Sequence, residues 1–174
     1  MSEKRILKMV APSDPRLLTK IAPYQDDMLK EHDFENRKAL ADAMYDTMKK
    51  YGGLGLSCNQ VGLPYRMFVM GGHPEIDLGR TRYVFNPQVL ELSKETILMK
   101  EGCLSFPDEE VATKRYRNIV VRDEVGGERI FDAKNLLETV CVQHEVDHLN
   151  GLTMYDRKLN ALEVVPTVQV PLMR

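Results

Sequence analysis

The chain has 174 residues, 43% of them hydrophobic, and a formal net charge of -2. That length suffices for one globular domain with a real core, and the near-neutral, dispersed charge argues against direct nucleic-acid binding. No apolar run is long enough for a membrane span and the start, Met1-Ser2-Glu3-Lys4-Arg5, lacks a signal-peptide core. Three cysteines do not make a disulfide framework, so a reducing, cytoplasmic setting is expected.

The first helix is predicted from about Glu35 to Tyr51, with Asp33 as its cap and Leu40, Met44, Met48 and Tyr51 as its apolar stripe. Gly52-Gly53 ends it. Short strands follow at Arg66 to Met70, Tyr83 to Asn86, Val89 to Leu92 and Thr96 to Met99. The run Lys114-Arg115-Tyr116-Arg117 reads as alternating solvated strand residues rather than a binding patch. Two further strands, Ile119 to Arg122 and Arg129 to Asp132, flank a Gly126-Gly127 turn. A second helix is predicted from about Ala133 to Asn150, with Gly151 as a left-handed stop. From about residue 160, Pro166 and Pro171 are interleaved with Val164, Val165, Val168 and Val170. Each proline inside a helix costs about 3 kcal/mol, so this tail is expected to be extended. The fold class is therefore α+β, a single domain over 1–174, with antiparallel strands packed around one central helix and another helix towards the N-terminus.

The chemistry concentrates in the second helix. In Gln143-His144-Glu145-Val146-Asp147-His148 the two histidines stand four apart, one turn along one face, where two imidazoles can hold one metal ion. Leu137, Cys141, His144 and His148 form a single stripe. Glu145 projects beside the pair, where a carboxylate can take a proton from water.

A catalytic metal site needs a third protein ligand and an open position. His32, among Lys30, Glu31 and Asp33, and His73, in a Gly-Gly-His-Pro turn, both read as solvated surface histidines. The HExxHxxGxxH pattern of one protease group matches as far as Gly151, but Met154 stands where its last histidine belongs. Glu163 is a weak downstream candidate for a thermolysin-like arrangement. Upstream, Glu101-Gly102-Cys103-Leu104-Ser105 offers Cys103, whose thiolate would complete a Cys-His-His set with one position free. A buried structural cysteine is the alternative reading of Cys103.

These segments resemble signature motifs of the peptide deformylases. Glu101-Gly102-Cys103-Leu104-Ser105 and Gln143-His144-Glu145-Val146-Asp147-His148 match two of them, and Gly53-Leu54-Gly55-Leu56-Ser57-Cys58-Asn59-Gln60 matches the third, G-x-G-x-A-A-x-Q. The chain also opens in that family's manner, with Asp14-Pro15-Arg16-Leu17, and the resemblance covers about residues 5 to 158. Ser57-Cys58 replaces the usual two alanines, and the tail departs from the C-terminal helix that many bacterial members carry, as a short form would.

The resemblance implies hydrolytic removal of the formyl group from the N-terminal formylmethionine of nascent polypeptides, with release of formate. It assigns Cys103, His144 and His148 to the metal and Glu145 to proton transfer. The oxyanion donors it implies are the Gln60 side chain and the Leu104 backbone N–H, each typically worth about 2.7–4 kcal/mol in the transition state. The peptide would lie as an added strand near Gly53, Gly55, Glu101 and Gly102. Its methionine would enter a pocket of Leu54, Leu137, Val140 and Cys141. The expected cofactor is one divalent ion per chain, Fe²⁺, replaceable by Zn²⁺, Ni²⁺ or Co²⁺. A monomer is expected, and a transient ribosome contact through some other surface stays open. Two other readings share features: an HExxH zinc endopeptidase, and a binding module with a structural metal, for which no fourth ligand is evident because Cys58 and Cys141 read as small apolar fillers.

Overall fold

The computed structural model describes residues 3–160. The extended tail expected after about residue 160, with Pro166, Pro171 and its valines, lies outside the described residues.

Helix α1 spans Arg37–Tyr51. Asn36 caps it, its side chain accepting the Ala39 N–H at 2.9 Å, and Gly52 closes it at φ 73°. The expected cap, Asp33, instead terminates a preceding 3₁₀ helix, Asp26–His32, at φ 60°. The correction has a local cause: Asp33 and Asn36 are both good caps, and Asp33 is consumed by a short helix whose pattern is too brief to read. Leu40, Met44 and Met48 are fully buried, but Tyr51 is exposed, because the stripe runs out at the last turn.

Among the described residues eight strands follow: β1 Gly55–Ser57, β2 Met67–Gly71, β3 Thr81–Phe85, β4 Gln88–Leu92, β5 Thr96–Cys103, β6 Phe106–Tyr116, β7 Ile119–Asp123 and β8 Gly127–Phe131. They pair antiparallel in three sheets ordered β1-β2-β3, β4-β7-β8 and β5-β6. Helix α2, Leu136–Leu149, starts later than expected because Asn135 caps it, accepting the Glu138 N–H. The antiparallel α+β architecture matches the expectation from sequence.

Strand β2 is buried along its whole length. Successive side chains point to opposite faces, so Phe68 and Met70 pack with Val140, Val146 and Leu149 of α2. Met67 and Val69 pack with Leu40, Met44 and Met48 of α1. The sheet is thus a partition with a helix against each face, and α2 is buried along almost its entire length.

One strand is not predicted from the sequence and another only at its end. β1 has only three residues. β6 begins at Phe106, opposite Cys103, and its next four residues, Pro107-Asp108-Glu109-Glu110, are outside the ladder, while its second half pairs Val111 with Glu101 and Arg115 with Ile97. There Val111, Thr113 and Arg115 point inward. Arg115, expected on a solvated face, is 2% exposed. Alternation identifies a strand's two faces but not which one is covered, and here the positively charged member faces the core.

Candidate metal centre and active site

Three elements bring the site together. Helix α2 presents His144 and His148 one turn apart, the end of β5 presents Cys103, and β1 with the following 3₁₀ turn, Cys58–Val61, presents Ser57 and Gln60. The ligand atoms of Cys103, His144 and His148 lie within 4.8 Å of one another, all three residues buried. Nε2 of His148 is 3.3 Å from the Cys103 Sγ and 3.1 Å from Nε2 of His144.

The tautomer at His144 follows from its other nitrogen. Nδ1 donates to Glu101 Oε1 at 2.7 Å, so Nε2 turns its lone pair towards His148 and Cys103. Three soft-to-borderline donors facing one another in a water-poor pocket are the arrangement a divalent cation relieves, and Cys-His-His suits such an ion chemically. Among the described residues no fourth cysteine, histidine or carboxylate joins the set, which leaves a position for water or substrate. The α2 backbone is tied down behind His148 by the Asn59 side chain, which donates to its carbonyl at 2.5 Å.

Glu101 differs from its expected place along the peptide. It is 0% exposed, and Arg115 grips both its oxygens, Nε to Oε2 at 2.7 Å and Nη2 to Oε1 at 2.8 Å. Thr113 also donates to Oε2. Burial alone would push its carboxyl up, but Arg115, with His144, outweighs that and holds it well below the usual range. Its carboxylate therefore faces His144 from behind and does not line the groove. Arg115 continues to Asp147 Oδ2 at 2.5 Å, and Asp147 is shared with Arg157. Neither Arg115 nor Asp147 was singled out from sequence. The only signal for Arg115 was its place in an alternating run.

Glu145 is 2% exposed. Burial raises its carboxyl above the ordinary value, with His144 and the Ser57 hydrogen bond acting against that. Ser57 Oγ lies 2.6 Å from Glu145 Oε2. The Gln60 side chain accepts the Ser57 N–H at 2.9 Å through Oε1 and directs Nε2 to Ser105 Oγ at 3.0 Å, with the Cys103 Sγ at 3.7 Å.

Around these groups, Gly53 packs against the Leu104 side chain, and Gly55 lies so close to Glu145 that any Cβ would meet Oε1 at 2.6 Å. Leu54 packs on the cluster that holds Leu137, Val140 and Cys141, with the Cys141 Sγ 3.7 Å from the Leu54 carbonyl. Burial pushes the Cys58 and Cys141 thiols up, and neither joins the ligand set. A cavity of about 600 Å³ opens beside Gly102, Cys103 and Leu104. The two remaining histidines are elsewhere. His73 Nδ1 accepts the Glu75 N–H at 3.2 Å. His32, expected on the surface, is half-buried, its Nδ1 2.7 Å from the Tyr65 hydroxyl.

The family model for polypeptide deformylases matches residues 6–163. A peptide deformylase of Wolbachia pipientis is 36% identical over 170 residues, covering 91% of this chain and 89% of the relative. Among solved structures, a class I type b peptide deformylase from Acinetobacter baumannii bound to Met-Ala-Ser superposes with a TM-score of 0.76 at 30% identity, over 89% of this chain and 99% of that one. The Thermotoga maritima peptide deformylase superposes with a TM-score of 0.73 at 31% identity, over 90% and 99% of the two chains.

Proposed function

The chain belongs to the polypeptide deformylase family, and from that premise we propose how its own residues divide the work. The reaction is the hydrolytic removal of the N-formyl group from nascent polypeptides, and the family is metal-dependent. The family match and the relatives described above are deformylases, so the HExxH endopeptidase alternative is not favoured. The observation that carries the division of roles is the convergence of Cys103, His144 and His148 on one point, with Glu145, next to His144 in the chain, buried and held by Ser57.

Cys103, His144 and His148 would hold a divalent ion, which supplies Lewis acidity and lowers the pKa of water from about 15.7 towards about 7. Glu145 accepts the proton of the attacking water and then delivers it to the departing amine. Its partial exclusion from water, and the resulting upward push on its carboxyl, suit a group that must both take and return a proton. The formyl oxygen becomes an oxyanion, for which Gln60 and the Leu104 N–H are the donors. Gln60 Nε2 gives one hydrogen to Ser105 and directs the other towards the Cys103 Sγ, 3.7 Å away, from which it can turn to the substrate oxygen. Gly53, Gly55 and Gly102 line an edge where the peptide backbone can approach. Leu54, Leu137, Val140 and Cys141 form the methionine pocket, a role supported by their mutual packing. The Glu101 side chain orients His144, which leaves its backbone for the edge where the peptide would lie. The Met-Ala-Ser complex of the Acinetobacter relative supports a methionine-first product.

The metal is Fe²⁺ by family resemblance. The partners are formylmethionyl nascent chains, met in the cytoplasm by a monomer with at most a transient ribosome contact. No helix among the described residues is long and apolar enough to cross a membrane. The test is formate release from formyl-Met-Ala-Ser by the Fe²⁺, Ni²⁺ and Zn²⁺ forms, with Glu145→Ala alongside. Turnover should require metal, and Glu145→Ala should keep the metal and lose turnover. Metal loss in Glu145→Ala, or its full activity, would overturn the role given to that carboxylate.

A further inference from the structure

Strand β1 carries a serine where the deformylase pattern usually has alanine, and its surroundings are unusual for a filler. Ser57 is 0% exposed. Its hydroxyl lies 2.6 Å from Glu145 Oε2 and 2.9 Å from the Glu145 carbonyl. A hydroxyl has one hydrogen to donate, and the nearer, charged acceptor is the stronger claimant. Both acceptors belong to residue 145, so either donation ties β1 to the same side chain and turn of α2.

Two residues earlier on the strand, and so on the same face, Gly55 leaves room for Oε1, since a Cβ there would come within 2.6 Å of that oxygen. One face of β1 is therefore a seat for Glu145. Gly55 supplies the room for one oxygen and Ser57 a donor for the other. The backbone of the same serine fixes the opposite wall of the site. Its N–H can only donate, so the Gln60 atom 2.9 Å away must be the carbonyl oxygen, and Nε2 is left facing Ser105 and Cys103.

We infer that Ser57 is a positioning residue for deformylation: its hydroxyl holds the Glu145 carboxylate in the orientation for proton transfer while its N–H sets the orientation of the Gln60 amide. The inference rests on the roles proposed above for Glu145 and Gln60. It predicts a cost in turnover and not in binding, because a carboxylate freed to rotate is misplaced for the reacting water while the peptide contacts are untouched.

The experiment compares Ser57→Ala, Ser57→Cys and Glu145→Ala with the parent enzyme, all metal-loaded, by formate release from formyl-Met-Ala-Ser, metal content and melting temperature. Alanine keeps the N–H, so it isolates the hydroxyl, and cysteine keeps the volume but donates weakly. Both serine variants should retain one metal per chain and KM within about twofold, with kcat down about tenfold. Parent kcat in either serine variant, or a change confined to KM, with Glu145→Ala inactive, would overturn the positioning role and leave the proposed mechanism standing. An active Glu145→Ala would overturn the mechanism itself.

Discussion

Replacing Arg115 by methionine should leave the buried Glu101 carboxylate without its counter-charge, held only by Thr113 and His144, and the geometry sets the size of the loss. Arg115 is 2% exposed, and its fork covers both oxygens of Glu101, which is 0% exposed. Asp147 would keep Arg157, whose Nη2 lies 2.8 Å from its Oδ1, so Glu101 carries most of the loss. A carboxylate left so deep in the protein escapes by binding a proton. With an ordinary carboxyl value of 4.5, protonation at pH 7 costs about 2.5 pH units at roughly 1.36 kcal/mol each, or about 3.4 kcal/mol. This agrees with the roughly 3–5 kcal/mol seen when one partner of a buried pair is removed. It corresponds to about 7–14 °C in melting temperature for a chain of this size.

The sign with pH is fixed too. In the parent, the depressed Glu101 carboxyl contributes stability above its ordinary value and loses it as pH falls. In the variant the folded-state value is raised, so folding takes up a proton and the penalty grows as pH rises above the ordinary value. The difference between the two proteins should therefore shrink by about 2 kcal/mol between pH 7 and pH 5.5. Urea unfolding of both at the two pH values, with chelator present so that metal linkage cancels, measures this directly. A difference below about 1 kcal/mol at pH 7, or one that does not shrink at pH 5.5, would refute the reasoning.

Gly55→Ala forces a Cβ to within 2.6 Å of Glu145 Oε1; kcat should fall about 100-fold with metal retained, and unchanged turnover would show that the carboxylate has another resting place. Gln60→Leu should lower kcat by about 10²–10³-fold with little change in KM, whereas an effect on KM alone would make Gln60 a binding residue. Cys103→Ala should abolish stoichiometric metal binding while near-UV circular dichroism shows the core intact; full metal content would make the cysteine structural. Asn36→Ala should cost about 1 kcal/mol in urea unfolding through loss of the α1 cap. Asp33→Gly, at a left-handed position, should cost little, and the reverse ranking would restore Asp33 as the cap.

The grouping of Cys103, His144 and His148 could be read from the chain because its geometry is local or strongly typed. His144 and His148 meet through helical periodicity alone, and Cys103 sits in a short motif of its own. Helix α1 and most strands were legible for the same reason, since Leu40, Met44 and Met48 repeat at helical spacing. What only the tertiary structure decided is which face of each element is covered and by whom. Arg115 became a buried partner of Glu101 because that face of β6 lies towards α2, where it also meets Asp147, and nothing in the local sequence shows that its face, and not that of Lys114, is the covered one. The Glu101 side chain faces the back of His144 for the same reason. Ser57 meets Glu145 across 88 residues of chain, a contact that no local spacing encodes. The sequence thus determined the donor set and the elements that carry it, and packing determined which groups hold those donors in place.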